Sequence, residues 1–155
     1  MRILLVALLG SGIGAGRSAA GALPAQVEAA VQASREECRP DKAIPGKGFI
    51  ATRDINGDGV PDYILNYGSF RCGDNAAYFC GSAGCVTQVF ASVKNGYVKV
   101  LDENVQGLTF RIVNGRPAML LDLHGLACGK AGNAPCRETL YWTGSTFSPA
   151  RNSAR

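Results

Sequence analysis

The residues from 54 to 62 read Asp-Ile-Asn-Gly-Asp-Gly-Val-Pro-Asp, and their spacing fits a defined chemistry. Oxygen-bearing side chains stand at the first, third, fifth and ninth positions, and a glycine stands at the sixth. A hard cation such as Ca²⁺ takes about six to eight oxygen ligands, and a short loop turns alternate residues towards one point. The sequence therefore predicts a structural Ca²⁺ site whose ligands are Asp54, Asn56, Asp58, the carbonyl of Val60, and Asp62.

The loop resembles the calcium loops of FG-GAP and VCBS repeats, and more distantly those of dockerins and EF-hands. An EF-hand places a bidentate Glu at the twelfth position, where this chain has Leu65, so an EF-hand is not expected. Residues 62–65 instead run directly into a strand-like segment, as in the FG-GAP type. No repeat period accompanies the loop, so the resemblance does not imply a propeller. The competing interpretation is that Asn-Gly and Asp-Gly only mark a tight turn.

Two later segments carry a second resemblance. Residues 80–85 read Cys-Gly-Ser-Ala-Gly-Cys, and residues 124–129 read His-Gly-Leu-Ala-Cys-Gly. Both are similar to segments of small secreted bacterial proteins that carry the calcium loop and these two segments in the same order. No activity is assigned to those proteins, so the resemblance implies no reaction.

The cysteines indicate disulfides. Their number is six, and an even count behind a signal peptide is typical of disulfides in an oxidising compartment. Six cysteines permit about 15 pairings, among which proximity favours two short bridges and leaves one long one. A zinc site is the competing interpretation, but the chain has no Cys-x-x-Cys pair and one His. The predicted bridges are Cys38–Cys72, Cys80–Cys85 and Cys128–Cys136.

Residues 1–22 have the features of a signal peptide. Arg2 precedes an apolar run, and Ala20-Gly21-Ala22 fits a cleavage site before Leu23. An uncleaved membrane anchor is the alternative, but the apolar run is shorter than the ~18 residues that a spanning helix needs. We therefore expect a periplasmic or secreted protein with no stable membrane insertion after cleavage.

The remaining chain predicts a single domain over residues 23–148, followed by a flexible tail over 149–155. The whole chain has a formal net charge of +4 at pH 7, and its basic residues are scattered. A nucleic-acid partner is therefore not expected.

The predicted fold class is α+β, with one N-terminal helix and mostly antiparallel sheet built from hairpins and disulfide-stapled loops. Residues 23–38 predict the helix, because Pro24 suits its first turn and Pro40 prevents its continuation. Asn-Gly at 95–96 and at 114–115 predicts type I′ hairpin turns. Segments 41–47 and 68–85 are expected to lack regular structure. About eight strands are predicted: 49–52, 63–67, 86–94, 97–102, 107–113, 116–123, 138–143 and 146–148.

One constellation allows enzymatic chemistry. His124 is the sole histidine, and strand alternation would place it on the face of Asp122. A hydrolase would also need a nucleophile, for which Ser82 is the candidate. The competing interpretation gives His124 a structural hydrogen bond near the Cys128–Cys136 bridge.

The sequence favours a calcium-stabilised binding or interaction module whose partner is an unknown protein or glycan. Tyr141 and Trp142 are predicted to lie on opposite faces of their strand, so that one of them is exposed. An exposed aromatic ring would suit a sugar, and the competing interpretation is cross-strand packing. The first alternative is an inhibitor of an exported lysozyme or protease, with the 80–85 loop entering the cleft of the enzyme. The second alternative is a hydrolase that uses His124.

Overall fold

The computed structural model describes residues 22–150. The helix α1 spans Ala25–Glu37, and two 3₁₀ turns span Tyr67–Ser69 and Gly125–Cys128. The strands are β1 (Ala43–Pro45), β2 (Ile50–Arg53), β3 (Asp62–Asn66), β4 (Phe70–Cys72), β5 (Cys80–Gly81), β6 (Gly84–Val93), β7 (Gly96–Val105), β8 (Gly107–Val113), β9 (Arg116–Leu123), β10 (Cys136–Trp142) and β11 (Phe147–Pro149). The predicted signal peptide lies outside the described residues except for Ala22, and the tail does so from residue 151 onwards.

The strands form two main sheets, and every pairing is antiparallel. In the first, here called the central sheet, β2, β3 and β6 are neighbours, and β6 also pairs with β5 and β7. The second, here called the C-terminal sheet, has the order β11-β10-β9-β8. A small ribbon of β1 and β4 completes the fold. The predicted class, α+β with mostly antiparallel sheet, is confirmed.

The central sheet separates two hydrophobic cores. Successive residues of a strand point to opposite faces, and Val89 and Phe90 on β6 accordingly belong to different cores. The first core includes Val27, Val31, Cys38, Phe49, Leu65, Tyr67, Phe70, Cys72 and Phe90. The second lies against the C-terminal sheet and includes Ile55, Val89, Leu101, Val105, Phe110, Met119, Leu121 and Phe147.

Helix α1 covers the first core with one face. Val27, Val31 and Ser34 are buried, and Cys38 is buried just beyond the helix end. Leu23, the residue after the predicted cleavage site, packs against the same core. Between residues 22 and 150, no helix is long and apolar enough to cross a membrane.

All six cysteines form disulfides, and the connectivity is the predicted one. Cys38 is bonded to Cys72, Cys80 to Cys85, and Cys128 to Cys136. The first bridge ties the end of α1 to β4, with a sequence separation of 34. The other two close short loops at the start of β6 and of β10. Three disulfides fit an oxidising compartment.

The prediction of about eight strands was too low, because three short strands lie in segments expected to be irregular. Strand β1 lies within 41–47, and β4 and β5 lie within 68–85. Each has two or three residues, too few to show an alternating pattern in sequence. The Cα partners Ala43 and Cys72 pair next to one disulfide, and Cys80 and Cys85 pair within another. Strand β7 also continues to Val105, beyond the predicted end at 102.

Only one of the two Asn-Gly turns is of type I′. Asn114 and Gly115 both have positive φ, at 52° and 74°. Among residues 22–150, Asn114 is the single non-glycine residue with positive φ. Asn95 therefore does not adopt the type I′ conformation, because its turn is shifted: Val93 pairs with Gly96, so Lys94 and Asn95 form the turn.

Tyr67 is the largest fully buried side chain and carries a titratable group into the first core. Its hydroxyl lies 2.6 Å from Ser34 Oγ and donates to Gln88 Oε1 at 3.1 Å. Burial raises the pKa of Tyr67 and outweighs the opposing hydrogen bond from Ser34, and the charges of Asp102 and Glu37 raise the pKa further.

We predict that this buried tyrosine makes the protein sensitive to alkali. The folded chain keeps the Tyr67 proton to higher pH than the unfolded chain. Its contribution to the free energy of unfolding is therefore full below about pH 10 and is lost as the pH rises through the raised pKa. Denaturant melts at increasing pH should show a smaller alkaline loss in Tyr67→Phe than in the parent, and no such reduction in the control Tyr141→Phe. Equal alkaline losses in all three proteins would contradict this account.

Candidate metal centre and groove

The predicted calcium loop connects β2 to β3, and contacts with the rest of the domain fix both of its ends. Ile55 is 4% exposed and belongs to the second core, so the start of the loop is fixed. Tyr97 on β7 donates its hydroxyl hydrogen to the carbonyl of Pro61 at 3.0 Å, which fixes the end. The side chain of Val60 is exposed, and its N–H donates to Asp58. The loop therefore lies on the end of the β6–β7 hairpin.

Asp62 is the buried acidic residue of the loop. Its side chain is 0% exposed, and no ion pair within residues 22–150 involves it. Oδ2 accepts from the N–H of Ile55 at 2.7 Å, and Oδ1 accepts from the N–H of Ser92 at 2.6 Å. A fully buried carboxylate without a counter-ion is costly unless hydrogen bonds or a metal ion compensate it.

Ser92, near the end of β6, joins two of the predicted ligands. Its Oγ lies 2.7 Å from Asp58 Oδ2 and 2.7 Å from Asp62 Oδ1. A hydroxyl carries one hydrogen, so Ser92 can donate to only one of these two oxygens. The other contact brings two oxygens together without a hydrogen between them, and a bound cation would relieve that repulsion. Ser92 was not among the predicted ligands, although a serine between Ala91 and Val93 in an apolar strand is a signal that the sequence carries.

Asn56 is also drawn into this group. It is 7% exposed, and its Nδ2 donates to the Ser92 carbonyl at 2.9 Å. Its Oδ1 accepts from the Asp58 N–H at 3.0 Å. The structure therefore brings Asn56, Asp58 and Asp62 together around Ser92.

Asp54 lies on the exposed side of the loop and is used differently. Its two carboxylate oxygens accept from the N–H groups of Gly57 and Gly59, at 2.7 and 2.9 Å. Gly59 has a φ of 81°, a backbone conformation that favours glycine. Over the described residues, no three acidic, histidine or cysteine side chains lie close enough together to hold a metal ion. The donor chemistry fits Ca²⁺, and a complete shell requires Asp54 to join Asp58 and Asp62.

The hydrogen bonds within the loop favour the charged form of Asp58. Partial burial alone would raise the pKa of this carboxyl group. Hydrogen bonds from Ser92, from the N–H of Val60 and from Asn56 together outweigh that effect, so the pKa of Asp58 lies below its ordinary value. The loop thus holds Asp58 as a carboxylate, the form in which it can bind a cation.

A groove of about 830 Å³ lies at the edge of the central sheet. On one side it is bounded by β7 from Lys99 to Asn104, and on the other by the C-terminal sheet and the turn after β9. The residues lining it on that second side are Leu121, Leu123, His124, Leu126, Ala127, Glu138 and Leu140. Leu126 is 69% exposed at its rim. The groove combines apolar side chains with carboxylates.

The structure does not place His124 on the strand face of Asp122. Strand β9 ends at Leu123, and the chain then turns into the 3₁₀ turn, so strand alternation stops before His124. His124 lines the groove, whereas Asp122 lines a different, smaller cavity and pairs with Arg137 at 2.6 Å. The two side chains are therefore not brought together.

The His124 ring packs against the loop closed by Cys128 and Cys136. A Cβ added at Gly132 would lie 2.5 Å from its Cε1 atom, so the ring lies directly on that glycine. Within the described residues no side-chain hydrogen bond of His124 is present, and packing holds the ring instead. The predicted location near this disulfide is confirmed, and the predicted hydrogen bond is not.

Ser82 lies at the tip of the 80–85 loop. The Ser82 side chain is exposed, and its carbonyl accepts from Gln106 Nε2 at 3.1 Å. Gly84, with a φ of 102°, lies so close to the Val105 carbonyl that a Cβ there would be 2.1 Å from the oxygen. The loop is therefore held rigidly against the end of β7. Ser82 and His124 are not joined by a hydrogen bond in residues 22–150.

The aromatic pair on β10 divides between the two faces, as predicted. Trp142 packs against Phe147, with ring centroids 5.1 Å apart, next to the second core. Tyr141 lies under the Arg116 guanidinium, 5.1 Å from the ring centroid. Neither residue lines the groove.

No protein-family model, curated protein or solved structure matches this chain. The resemblance to FG-GAP and VCBS loops therefore stays a prediction from the residues of the loop.

Proposed function

We propose that this protein is a secreted, calcium-stabilised binding module whose partner is a protein or a glycan. The observation that carries the proposal is the open groove beside β7. It is lined by leucines of the C-terminal sheet, by carboxylates and by His124. A concave surface that combines apolar side chains with fixed polar groups is a common form of a binding site.

The calcium part of the proposal is supported by the surroundings of Asp62. This carboxylate is completely buried without a counter-ion, and it shares the single Ser92 hydroxyl hydrogen with Asp58. When bound, Ca²⁺ would supply the missing positive charge. The residues that would hold it are Asp54, Asn56, Asp58, the carbonyl of Val60, and Asp62.

The compartment is supported by the disulfides. All cysteines in the described residues are paired, which fits an oxidising environment. We propose a periplasmic or secreted location that is reached through removal of residues 1–22 as a signal peptide.

The calcium proposal predicts a change in thermal stability. The site lacks a bidentate Glu, so we expect a Kd in the weak extracellular range, roughly 10⁻⁵–10⁻³ M. At free Ca²⁺ of about ten times Kd, binding adds about 1.4 kcal/mol to the free energy of unfolding. Melting curves of the purified protein in Ca²⁺ and in chelator should therefore differ. Asp58→Ala should abolish that difference, because it removes a ligand carboxylate without opening a cavity.

Asp74→Ala is the matched control, because Asp74 is an exposed aspartate outside the loop. It should keep the full calcium-dependent shift. Identical melting curves of the parent in Ca²⁺ and in chelator would contradict a role for the ion. A shift that survives in Asp58→Ala would place the ion elsewhere.

The binding proposal is tested by capture on the immobilised protein. Two large aliphatic side chains are equally exposed, at 69% each. They are Leu126 at the groove rim and Ile112 near the β8–β9 turn. In calcium buffer, a partner from a periplasmic extract should be retained by the parent and by Ile112→Asp, and lost from Leu126→Asp. A partner retained equally by all three proteins would exclude the groove. Retention of no partner would contradict the function.

The exported-hydrolase inhibitor is the second candidate, and the rigid 80–85 loop favours it. The hydrogen bond from Gln106 to the Ser82 carbonyl and the disulfide hold the exposed tip in one conformation, which lowers the entropy cost of entering a cleft. Inhibition of a lysozyme or protease that is weakened by Gln106→Ala would favour this candidate over the groove.

A further inference from the structure

Strand β7 offers a free edge to the groove. It pairs with β6 on one side, and no strand of the described chain pairs with its other side. Every residue from Lys99 to Asn104 lines the groove, although successive side chains of a strand point to opposite faces. Only the edge of the strand presents all of them to one space. The groove therefore runs along the unpaired backbone of β7.

The opposite wall suits alternating apolar side chains. Leu121 and Leu123 stand two residues apart on β9, and Leu140 stands on the neighbouring strand β10. Leu126 and Ala127 extend this apolar surface to the rim. An extended segment lying along β7 would place every second side chain on these leucines.

The charge of the groove determines which polar side chains a bound segment should carry. Its ionisable residues are one lysine, Lys99, the acidic Asp102, Glu103 and Glu138, and His124. Lys99 pairs with Asp102, which also accepts from Gln88. No ion pair of residues 22–150 involves Glu103 or Glu138. The uncompensated carboxylates favour a partner with basic side chains.

The edge of β7 is less suited to pairing before Leu101 than from Leu101 to Asn104. The register of β6 with β7 shifts between Val89 and Phe90, which leaves Val100 without a Cα partner. A bulge and a charged pair are ways in which proteins protect an exposed edge. From Leu101 to Asn104 the register is regular, and these residues line the groove together with Glu138 and the leucines of the other wall.

We propose that the groove binds an extended, basic polypeptide segment that adds to β7 as a further strand. This inference rests on the proposed binding function and names the class of partner. The backbone of the segment would pair with the edge from Leu101 to Asn104. Its apolar side chains would contact the leucines, and its lysines or arginines would contact Glu103 and Glu138.

Fluorescence anisotropy with synthetic peptides and the purified protein tests the proposal. The probe is a labelled peptide of about eight residues that alternates valine and lysine, long enough to span the edge. One comparison peptide replaces lysine by glutamate, and a second is N-methylated at alternate backbone nitrogens. The parent peptide should bind, whereas the acidic and the N-methylated peptides should bind at least about tenfold more weakly.

Two protein variants locate the contact. Glu138→Lys should weaken binding of the basic peptide by about tenfold. Glu37→Lys makes the same charge change at the exposed end of α1 and should leave binding unchanged. The N-methylated peptide is tested on the parent protein, so the result does not depend on the folding of any variant.

Any one of three results would overturn the inference. Equal binding of the N-methylated peptide would exclude strand addition, and equal binding of the acidic peptide would exclude selection by charge. No binding of the basic peptide would exclude this class of partner. In that case a partner whose capture still depends on Leu126 would leave the proposed binding function standing. If the basic peptide does not bind and no partner is captured through Leu126, the proposed binding function is itself contradicted.

Discussion

Replacing Asp62 by alanine is expected to lower the free energy of unfolding by about 3–5 kcal/mol, even in chelator, since unsatisfied buried donors cost about 1–3 kcal/mol each. The N–H groups of Ile55 and Ser92 would each lose an acceptor at 2.7 and 2.6 Å. Asp62 is 0% exposed, so water cannot readily replace the carboxylate. The measurement is chemical denaturation of the parent and the variant without calcium.

Asp122→Ala provides the control for Asp62. Asp122 forms an exposed ion pair with Arg137, and such pairs contribute about 0–1 kcal/mol. The free energy of unfolding of Asp62→Asn should lie between those of the two variants. The amide nitrogen of asparagine is a donor, so it would face one N–H group that needs an acceptor. If Asp62→Ala were no less stable than Asp122→Ala, the buried hydrogen bonds would not be the interactions that fix the loop.

Removal of the Cys38–Cys72 disulfide is the second large expected effect. The bridge has a sequence separation of 34, and closing a loop of this length stabilises the folded state by about 3–4 kcal/mol through the unfolded chain. Both sulfurs are buried in the first core, so alanine is the suitable replacement. Cys38→Ala with Cys72→Ala should lower the midpoint of denaturant unfolding accordingly.

The control is the pair Cys128→Ala and Cys136→Ala, whose bridge has a sequence separation of 8. Its removal should cost less, about 2–3 kcal/mol on the same loop-entropy basis. A larger loss for the short bridge than for the long one would contradict the entropic account of these disulfides.

Local sequence patterns predicted most of the fold. Strands β8 and β9 begin and end at the predicted residues, because alternating apolar residues surround an Asn-Gly turn. The helix was marked by prolines at both ends, and the disulfide pairs by proximity. The short strands β1, β4 and β5 were missed, because strands of two or three residues depend on partners far away in sequence.

The candidate sites were predictable to different degrees. The oxygen-bearing residues of the calcium loop are close in sequence, so their spacing identified them. Ser92 lies thirty residues after Asp62 and reaches the loop only through the pairing of β3 with β6. The groove was not predicted at all, because it arises where the edge of one sheet meets the face of another. His124 was assigned to the face of Asp122 because strand alternation was continued one residue beyond Leu123, where β9 ends as predicted.

The most direct test of the calcium proposal is a calcium titration of the purified protein by calorimetry. We expect one site with a Kd of roughly 10⁻⁵–10⁻³ M, which is lost in Asp58→Ala and kept in Asp74→Ala. The absence of any binding heat, together with melting curves that are the same in calcium and in chelator, would contradict it.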